Sequence, residues 1–459
     1  MKSIKIIGAG LAGCEAAWQC ARRGLEVELY EMRPVKSTPA HQTDKFAELV
    51  CSNSLKSESE HTAPWLLKEE MRRAGSLLLD IARETQVPAG HALAVDREAF
   101  ADKVTESLSR EPRIKIIRQE VTHIDENNDL TIVATGPLTS DALSREIARL
   151  SGSEHLYFYD SISPIVEADS IDMSRVYMAA RYGKGTADYI NCPLNKEEYD
   201  RLCDELIAAQ PVEGHNWEKL NYFEGCLPIE EIARRGRDTL RFGPMKPVGL
   251  DDPKTGRWPY AVVQLRSENL RADSYNIVGF QNHLKFGEQA RILRLIPGLE
   301  NAKFLRYGQI HRNTYINAPS LLAELLNLKQ HPNVFFAGQI SGVEGYTESI
   351  AMGMLAGIHV ARVATGLPAI SPPRETALGS LVSYICHAEA KNFQPANITF
   401  DLLPQLDEGT RRRVRDKKRR HQMVCENALQ SCSAWLEQTS SKNEHASIRR
   451  KTLDDLAPA

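Results

Sequence analysis

Apolar and polar positions near the start of the chain change period twice within thirty residues, and the predicted architecture grows from that stretch. Ile4, Ile6 and Ile7 read as a short buried strand, Gly8, Gly10 and Gly13 as a turn, and Gly13 to Arg23 as a helix. On that helix Ala16, Ala17 and Cys20 are small enough to pack closely on a sheet. Gly24 stops the helix, and residues 25–30 alternate as a second strand ending on Glu31. Further along, Leu66, Leu67, Met71, Ala74, Leu78 and Ile81 recur at helical spacing and predict one helix over residues 65–84. A helix through Leu108 and strands at 114–117 and 130–134 follow. From residue 157 the pattern shortens into strand-like runs broken by Gly and Pro. The longer rhythm resumes at residues 333–342, where a strand enters a glycine turn and a helix follows with Ser349, Ala351, Gly353, Ala356 and Gly357. A last helical pattern runs through Val424, Leu429, Trp435 and Leu436, and the chain is polar from Ser440.

These elements predict an α/β fold: a Rossmann-like dinucleotide-binding domain from residues 1–156 and 320–439, an inserted α+β domain over 157–319, and a flexible tail over 440–459. The first turn carries the chemistry. Gly8 makes the tight bend, Gly10 admits a pyrophosphate to the backbone, and Gly13 lets helix and strand touch, with Ala9, Leu11 and Ala12 completing the turn. Glu31 arrives eighteen residues after Gly13, where a carboxylate accepts from a ribose hydroxyl. Two later stretches separate FAD from a simple nicotinamide site. A strand closes on Ala134-Thr135-Gly136, the usual exit beside the cofactor in two-dinucleotide flavoproteins, and Gly338-Gln339 marks the third signature, with a neutral amide where many flavoproteins have Asp. Since no second GxGxxG follows a strand, NADPH or NADH is expected to bind transiently. The long polar loop 32–46 places Arg33, His41 and Lys45 near the dinucleotide.

Composition narrows the class. At 459 residues, 42% apolar and 25% charged, the chain has room for two or three globular domains, and a net charge of −3 names no partner by itself. Strand signal begins directly after Met1-Lys2-Ser3 and no apolar run reaches the roughly 18 residues of a membrane span, so a cytoplasmic protein without membrane association is expected. Nine cysteines lack CxxC spacing, which predicts reduced thiols and no structural metal. Two of them stand out. Cys51 ends an apolar run before small polar residues that could cap a helix, and Cys226 lies between Gly225 and Pro228 ahead of a helix carrying Glu230 and Glu231. A thiol at a helix N-terminus is held toward thiolate, whereas the plainer reading makes Cys51 a core residue and Cys226 a loop residue. Residues 411–421 form a basic run that is either a solvated helix face or a contact for a phosphate backbone.

Beyond the glycine motif, more specific stretches recur: Glu31-Met32-Arg33-Pro34, Thr38-Pro39-Ala40-His41, residues 44–54 around Cys51, Arg181-Tyr182-Gly183-Lys184-Gly185, Asn191-Cys192-Pro193, Phe223-Glu224-Gly225-Cys226-Leu227-Pro228, residues 245–250, His311-Arg312-Asn313-Thr314-Tyr315 and Phe336-Ala337-Gly338-Gln339. In these the chain resembles, over nearly its full length, the folate- and flavin-dependent tRNA (uracil-5-)-methyltransferase family, TrmFO. The resemblance implies C5-methylation of the T-loop uridine of tRNA, with methylene from 5,10-methylenetetrahydrofolate, FAD as cofactor and NADPH or NADH as reductant. It also implies that Cys51 and Cys226 are the functional cysteines, Cys226 adding to C6 of uracil and Cys51 acting as acid or base, with the order between them open. Arg181, Lys184, Lys246, Arg312 and the basic run would then hold RNA phosphates. Three rivals remain at this point: the same chemistry on a ribosomal RNA uridine, a flavin-bearing RNA-binding protein without methyl transfer, and an oxidoreductase of a small substrate.

Overall fold

The structure is a computed structural model, and it describes residues 3–38, 40–127, 129–152, 156–183, 186–212 and 227–439. The first strand, β1 (Ile4–Ile7), leads through Gly8 to α1 (Leu11–Ala21) and returns as β2 (Val27–Glu31). Helix α1 starts two residues earlier than the glycine spacing predicts, because Gly10 is already its N-cap. After the long loop come β3 (Ser54–Ser57), α2 (Ala63–Arg73), α3 (Leu77–Glu84), β4 (Gln86–Val87), β5 (Ala92–Val95), α4 (Arg97–Arg110), β6 (Ile114–Arg118), β7 (Thr131–Val133) and α5 (Asp141–Ser151).

The helix expected over 65–84 is two helices. Gly75 lies at φ +77 with the Arg22 guanidinium against it, leaving no room for a side chain, and Ser76 then caps α3 by accepting from the Leu79 amide. A left-handed glycine followed by a capping serine ends one helix and starts another more cheaply than a continuous helix could pass Arg22. A second expectation also fails: no helix follows Cys51. Residues 54–57 pair with β5 as a strand, and the next helix waits for Thr62, whose hydroxyl accepts from the Trp65 amide.

The middle of the chain contributes β8 (Leu156–Ser161), β9 (Ile165–Glu167), β10 (Tyr177–Ala179), β11 (Tyr189–Leu194), α6 (Lys196–Ala208), α7 (Ile229–Arg234), α8 (Thr239–Phe242), β12 (Ala261–Ser267), β13 (Ser274–Ile277), α9 (Phe286–Leu293), β14 (Phe304–Arg306) and β15 (Ile310–Tyr315). The remainder adds α10 (Ala318–Leu321), β16 (Val334–Phe336), α11 (Tyr346–Ala364), α12 (Ala377–His387), α13 (Glu408–Arg413) and α14 (Lys417–Thr439). The basic run is therefore not one helix: it is broken between Arg413 and Lys417.

One sheet is five-stranded and parallel, in the order β16-β7-β1-β2-β6, with β1 central. Another is six-stranded and antiparallel, β10-β11-β12-β13-β9-β14, and β8 pairs with β15 apart from both. Two apolar cores result. One joins residues on both sides of the insertion, such as Ile6, Leu29, Phe335 and Trp435; the other is built from Val166, Tyr199, Val263, Phe280 and Ile292. Helices α1 and α11 cross at backbone contact on the parallel sheet. A Cβ on Gly353 would stand 2.2 Å from the Ala12 carbonyl oxygen, and one on Gly357 would stand 2.8 Å from that of Ala16. The small residues that the sequence places on this helix thus hold the C-terminal half against the first turn.

Candidate active site

The glycine turn shapes one end of a groove. Gly8, at φ +100, presses on the end of β7, where a Cβ would meet the Ala134 oxygen at 2.7 Å. A Cβ on Gly13 would lie 1.8 Å from the Gly8 oxygen. Gly10 differs, since a Cβ there would meet nothing within 4 Å. Gly8 and Gly13 therefore bring strand and helix together, while Gly10 leaves free the space above an α1 N-terminus that no side chain caps. Amide dipoles aimed into open space suit a pyrophosphate. Glu31 closes this end: one carboxylate oxygen accepts from the Ala9 amide at 3.1 Å and the other from Arg33 Nε at 2.9 Å. Burial works to raise its pKa, but the Arg33 and Ala9 hydrogen bonds outweigh it and hold Glu31 ionised below the usual range. Tyr30, Thr38, His41, Val121 and Thr135 complete the wall. His41, pushed down to about 4 by burial and the Arg33 charge, is neutral at pH 7 and hydrogen-bonded to Thr38. The donor set fits the adenosine diphosphate half of FAD: an open glycine, an uncapped helix end and a carboxylate beside them.

Leu138 lines this groove and also the next one, which Cys51, Lys56, Pro137, Gln339, Gly345 and Tyr346 surround. Here the N-terminus of α11 opens, again without a side-chain cap. Cys51 is fixed from that helix. Its amide donates to Tyr346 Oη at 2.8 Å, and Tyr346 Oη donates to Cys51 Sγ at 3.2 Å. Burial, and after it the nearby Cys51 thiol, pushes the Tyr346 phenol well above its ordinary value, so it stays protonated and keeps donating. Two further ties hold the same arm. Arg97 donates to the Leu49 carbonyl while paired with Glu268, and Arg266 donates to Asn53 Oδ1 at 2.9 Å and to Ser52 Oγ at 2.9 Å. Glu268 and Arg266 come from the antiparallel sheet and its margin, so Cys51 is held where the two sheets meet. Across the groove Lys56 Nζ reaches the fully buried Glu348 at 2.6 Å and Asn397 at 2.8 Å.

The family model for glucose inhibited division protein A matches residues 3–368. The methylenetetrahydrofolate–tRNA-(uracil-5-)-methyltransferase TrmFO of Koribacter versatilis is 79% identical over 433 residues, covering 94% of this chain and 98% of the relative. The protein of the same name from Enterococcus faecalis is 55% identical, covering 93% and 97%. The chain belongs to the TrmFO family. Among solved structures, GidA of Aquifex aeolicus superposes with a TM-score of 0.72 at 16% identity, covering 98% of this chain and 75% of that one, a likeness of fold.

Of the residues read from sequence as the TrmFO site, the structure brings Gly8, Gly10, Glu31 and Arg33 to one groove and Cys51 and Gln339 to the other. Ala9 reaches the first through its amide bond to Glu31. Leu11, Ala12 and Gly13 form the first turn of α1, and Gly338 packs on it, a Cβ there meeting Ala12 Cβ at 2.7 Å. Gly136, at φ +62, turns the chain between Thr135 on the first wall and Pro137 on the second. Gln339 donates one amide hydrogen to Glu344 at 2.6 Å. Cys226 lies outside the described residues, as does Lys184. Helix α7 behind Cys226 starts at Ile229 with Pro228 as N-cap.

Two expectations are corrected. Cys51 gains a helix N-terminus not from the residues after it but from Tyr346, 295 positions away. Lys45 pairs with Asp102 and faces a different cleft, with Arg97 and Arg306. Arg181 donates to the backbone carbonyls of Val248 and Lys246 and lines a further cleft with Lys56 and Tyr189. Sequence reasoning missed Tyr346, Arg97, Glu268, Arg266, Lys56 and Glu348. No spacing rule reaches them, because each meets Cys51 or its arm only through tertiary contact. Among the described cysteines, Cys51 is the one not buried. The others are inert packing thiols, Cys20 for example being pushed up to about 12 by burial.

Proposed function

We propose that this chain transfers the methylene carbon of 5,10-methylenetetrahydrofolate to C5 of the T-loop uridine of tRNA and reduces it to methyl, with FAD as cofactor and NADPH or NADH as reductant. What carries the reading is Cys51, a thiol held by a protonated phenol in a groove that shares Leu138 with the one at the dinucleotide turn. The relatives' name supplies the substrate class. FAD, when bound, supplies the redox step and the one-carbon relay. The residues do the rest. Gly10 and the α1 N-terminus take the pyrophosphate, Glu31 takes a ribose hydroxyl, and Arg33 holds Glu31 in place through hydrogen bonds from its own backbone and side chain. The Gly338–Gln339 turn and the uncapped α11 N-terminus would hold the flavin end of the cofactor.

Uracil C5 is a weak nucleophile until a thiolate adds at C6. We assign that addition to Cys226 on its Gly225-Cys226-Leu227-Pro228 context, and proton removal from C5 to Cys51, whose thiolate the Tyr346 hydroxyl stabilises. The domain division that goes with this reading is residues 1–156 and 320–439 for the cofactor, 157–319 for the substrate and a tail from 440. The chain carries no helix, among the described residues, long and apolar enough to cross a membrane. A soluble substrate such as tRNA is consistent with that, and a cytoplasmic location goes with it.

The test is direct. Purified protein is incubated with NADPH, carbon-labelled methylenetetrahydrofolate and, in parallel, unmodified tRNA or ribosomal RNA, and the label is expected as methyl on the T-loop uridine of tRNA. Label in ribosomal RNA alone would move the substrate, and label in neither RNA would overturn the reading. Cys226→Ala is expected to stay yellow and oxidise NADPH while transferring no methyl.

A further inference from the structure

Eight of the ten residues 411–420 are Lys or Arg, in a chain whose net charge is −3. Their arrangement is not one that helix stability favours throughout. Arg411, Arg412 and Arg413 close α13, where cations suit the negative end of a helix. Lys417, Lys418, Arg419 and Arg420 open α14, where they crowd its positive end with no acid in the first turn. Internal neutralisation is sparse. Arg412 pairs with Glu408 at 2.5 Å, Arg419 reaches Glu426 only at 3.7 Å, and Arg411 donates to Gln405. Asp416, the nearest acid in sequence, accepts from the Lys418 amide. Among the described residues Arg413, Arg415, Lys417, Lys418 and Arg420 have no carboxylate within ion-pair range, and most of the run is exposed.

The charged end is held by a well-anchored helix. Cys425, Ala428, Cys432 and Trp435 are buried, Trp435 Nε1 donates to the Ile370 carbonyl at 2.9 Å, and Arg73 donates to Ser433 at 3.2 Å. It is also placed relative to the groove. His421 stacks on Phe400 with ring centroids 3.7 Å apart, and three residues before Phe400, Asn397 accepts from Lys56, which lines the groove with Cys51. Three residues of chain span at most about 10 Å. The residue that follows the basic run is therefore linked through Phe400 and Asn397 to the Lys56 wall of the Cys51 groove. An exposed row of cations with few carboxylate partners suits a polymer with a charge at every repeat.

We propose that residues 411–420 are the landing surface for the sugar-phosphate backbone of the RNA substrate, outside the loop whose uridine enters the Cys51 groove. This rests on the methyl-transfer reading above. The surface positions RNA and takes no part in bond making.

Two full-length variants test it. Replacing Arg413, Arg415, Lys417, Lys418 and Arg420 together with Gln is expected to weaken tRNA binding on the order of tenfold or more at about 0.15 M salt, and to flatten the log–log salt slope by roughly 0.7–0.9 for each RNA phosphate that the variant no longer neutralises. KM for tRNA rises, kcat at saturating tRNA stays near wild type, and NADPH oxidation is unchanged. The second variant, Lys417→Glu with Lys418→Glu, puts acids at the positive end of α14. It is expected to hold or raise the melting temperature while weakening RNA binding, a split that a merely structural role for these lysines cannot give. Wild-type affinity and salt slope in both variants would overturn the proposal, even with methyl transfer intact. If the wild-type protein binds tRNA with a slope that the Gln variant loses, yet labels no RNA, the catalytic reading fails and the surface stands.

Discussion

Tyr346 and Cys51 exchange two hydrogen bonds, the Cys51 amide donating to the phenol oxygen at 2.8 Å and the phenol donating back to Sγ at 3.2 Å. The pair ties the long loop after β2, which carries Cys51, to the first residue of α11. Tyr346→Phe removes both bonds and keeps the ring. Flavin content and NADPH oxidation are expected to persist, while methyl transfer falls about 100-fold, the lower range of a lost acid–base contribution. Alkylation of Cys51 by iodoacetamide near neutral pH should slow in parallel, because a thiolate loses its donor. Unchanged alkylation together with unchanged turnover would remove Cys51 from the acid–base role.

The other end of the groove turns on Glu31. Its carboxylate is ionised and shared between the Ala9 amide and Arg33. Glu31→Gln keeps the shape but sets an amide nitrogen, which cannot accept, against N–H groups of Ala9 or of the Arg33 backbone and side chain. A charge-assisted hydrogen bond is worth about 1.5–3 kcal/mol, so FAD affinity is expected to drop roughly 10- to 100-fold. The ratio of flavin to protein absorbance after gel filtration measures it. Retention of full flavin in the variant would show that Glu31 serves the loop and not the cofactor.

Glycines that look alike in sequence should respond in opposite ways. A Cβ on Gly353 meets the Ala12 backbone at 2.2 Å, whereas one on Gly10 meets nothing within 4 Å. Gly353→Ala must push α11 off α1, and overpacking of this kind costs about 1–3 kcal/mol; thermal unfolding should show it as a lower melting temperature. Gly10→Ala should melt like wild type yet bind FAD poorly, since its methyl group occupies the space above the α1 N-terminus. Equal melting temperatures for wild type and Gly353→Ala would contradict the close crossing.

How far the sequence could see follows from the range of each interaction. The β1–α1–β2 unit was legible because its signals are local: a period of two, three glycines and an acid at fixed spacing. The later returns to the sheet at β7 and β16 were legible for the same reason, each being an apolar strand that ends on a glycine turn. The break at Gly75-Ser76 was also written locally and was overridden by an apolar periodicity that runs through it. Cys51 could be singled out by its neighbours, but its environment could not. Tyr346, Arg266 and Glu268 reach it from more than two hundred residues away, and only the closing of two sheets on one loop brings them there. Arg33 shows the converse. Its place in the groove at the glycine turn was legible, whereas its ties to Glu31, Glu48 and the Thr43 and Lys45 carbonyls depend on how that loop folds back.

Glu230 supplies a pH test of the segment next to Cys226. It sits in the first turn of α7, 2% exposed, with one oxygen accepting from the His283 amide at 2.9 Å and the other without a partner among the described residues. Burial pushes its pKa from the ordinary 4.5 up to about 7, against the pull of the His283 amide and the Arg234 charge and with some help from Glu231. An acid raised in this way stays protonated in the folded chain while the unfolded chain has already released its proton. Between about pH 4.5 and 7 folding therefore takes up a proton, and the stability that Glu230 contributes is full below that window and lost as pH rises through it. Glu230→Gln cannot titrate. Its melting temperature relative to wild type should be lowest at the acid end of the window and climb toward neutrality, whatever constant offset the amide introduces. Parallel pH profiles for the two proteins would mean that Glu230 is ionised throughout, and the α7 turn beside Cys226 would then hold a buried negative charge instead of a neutral acid.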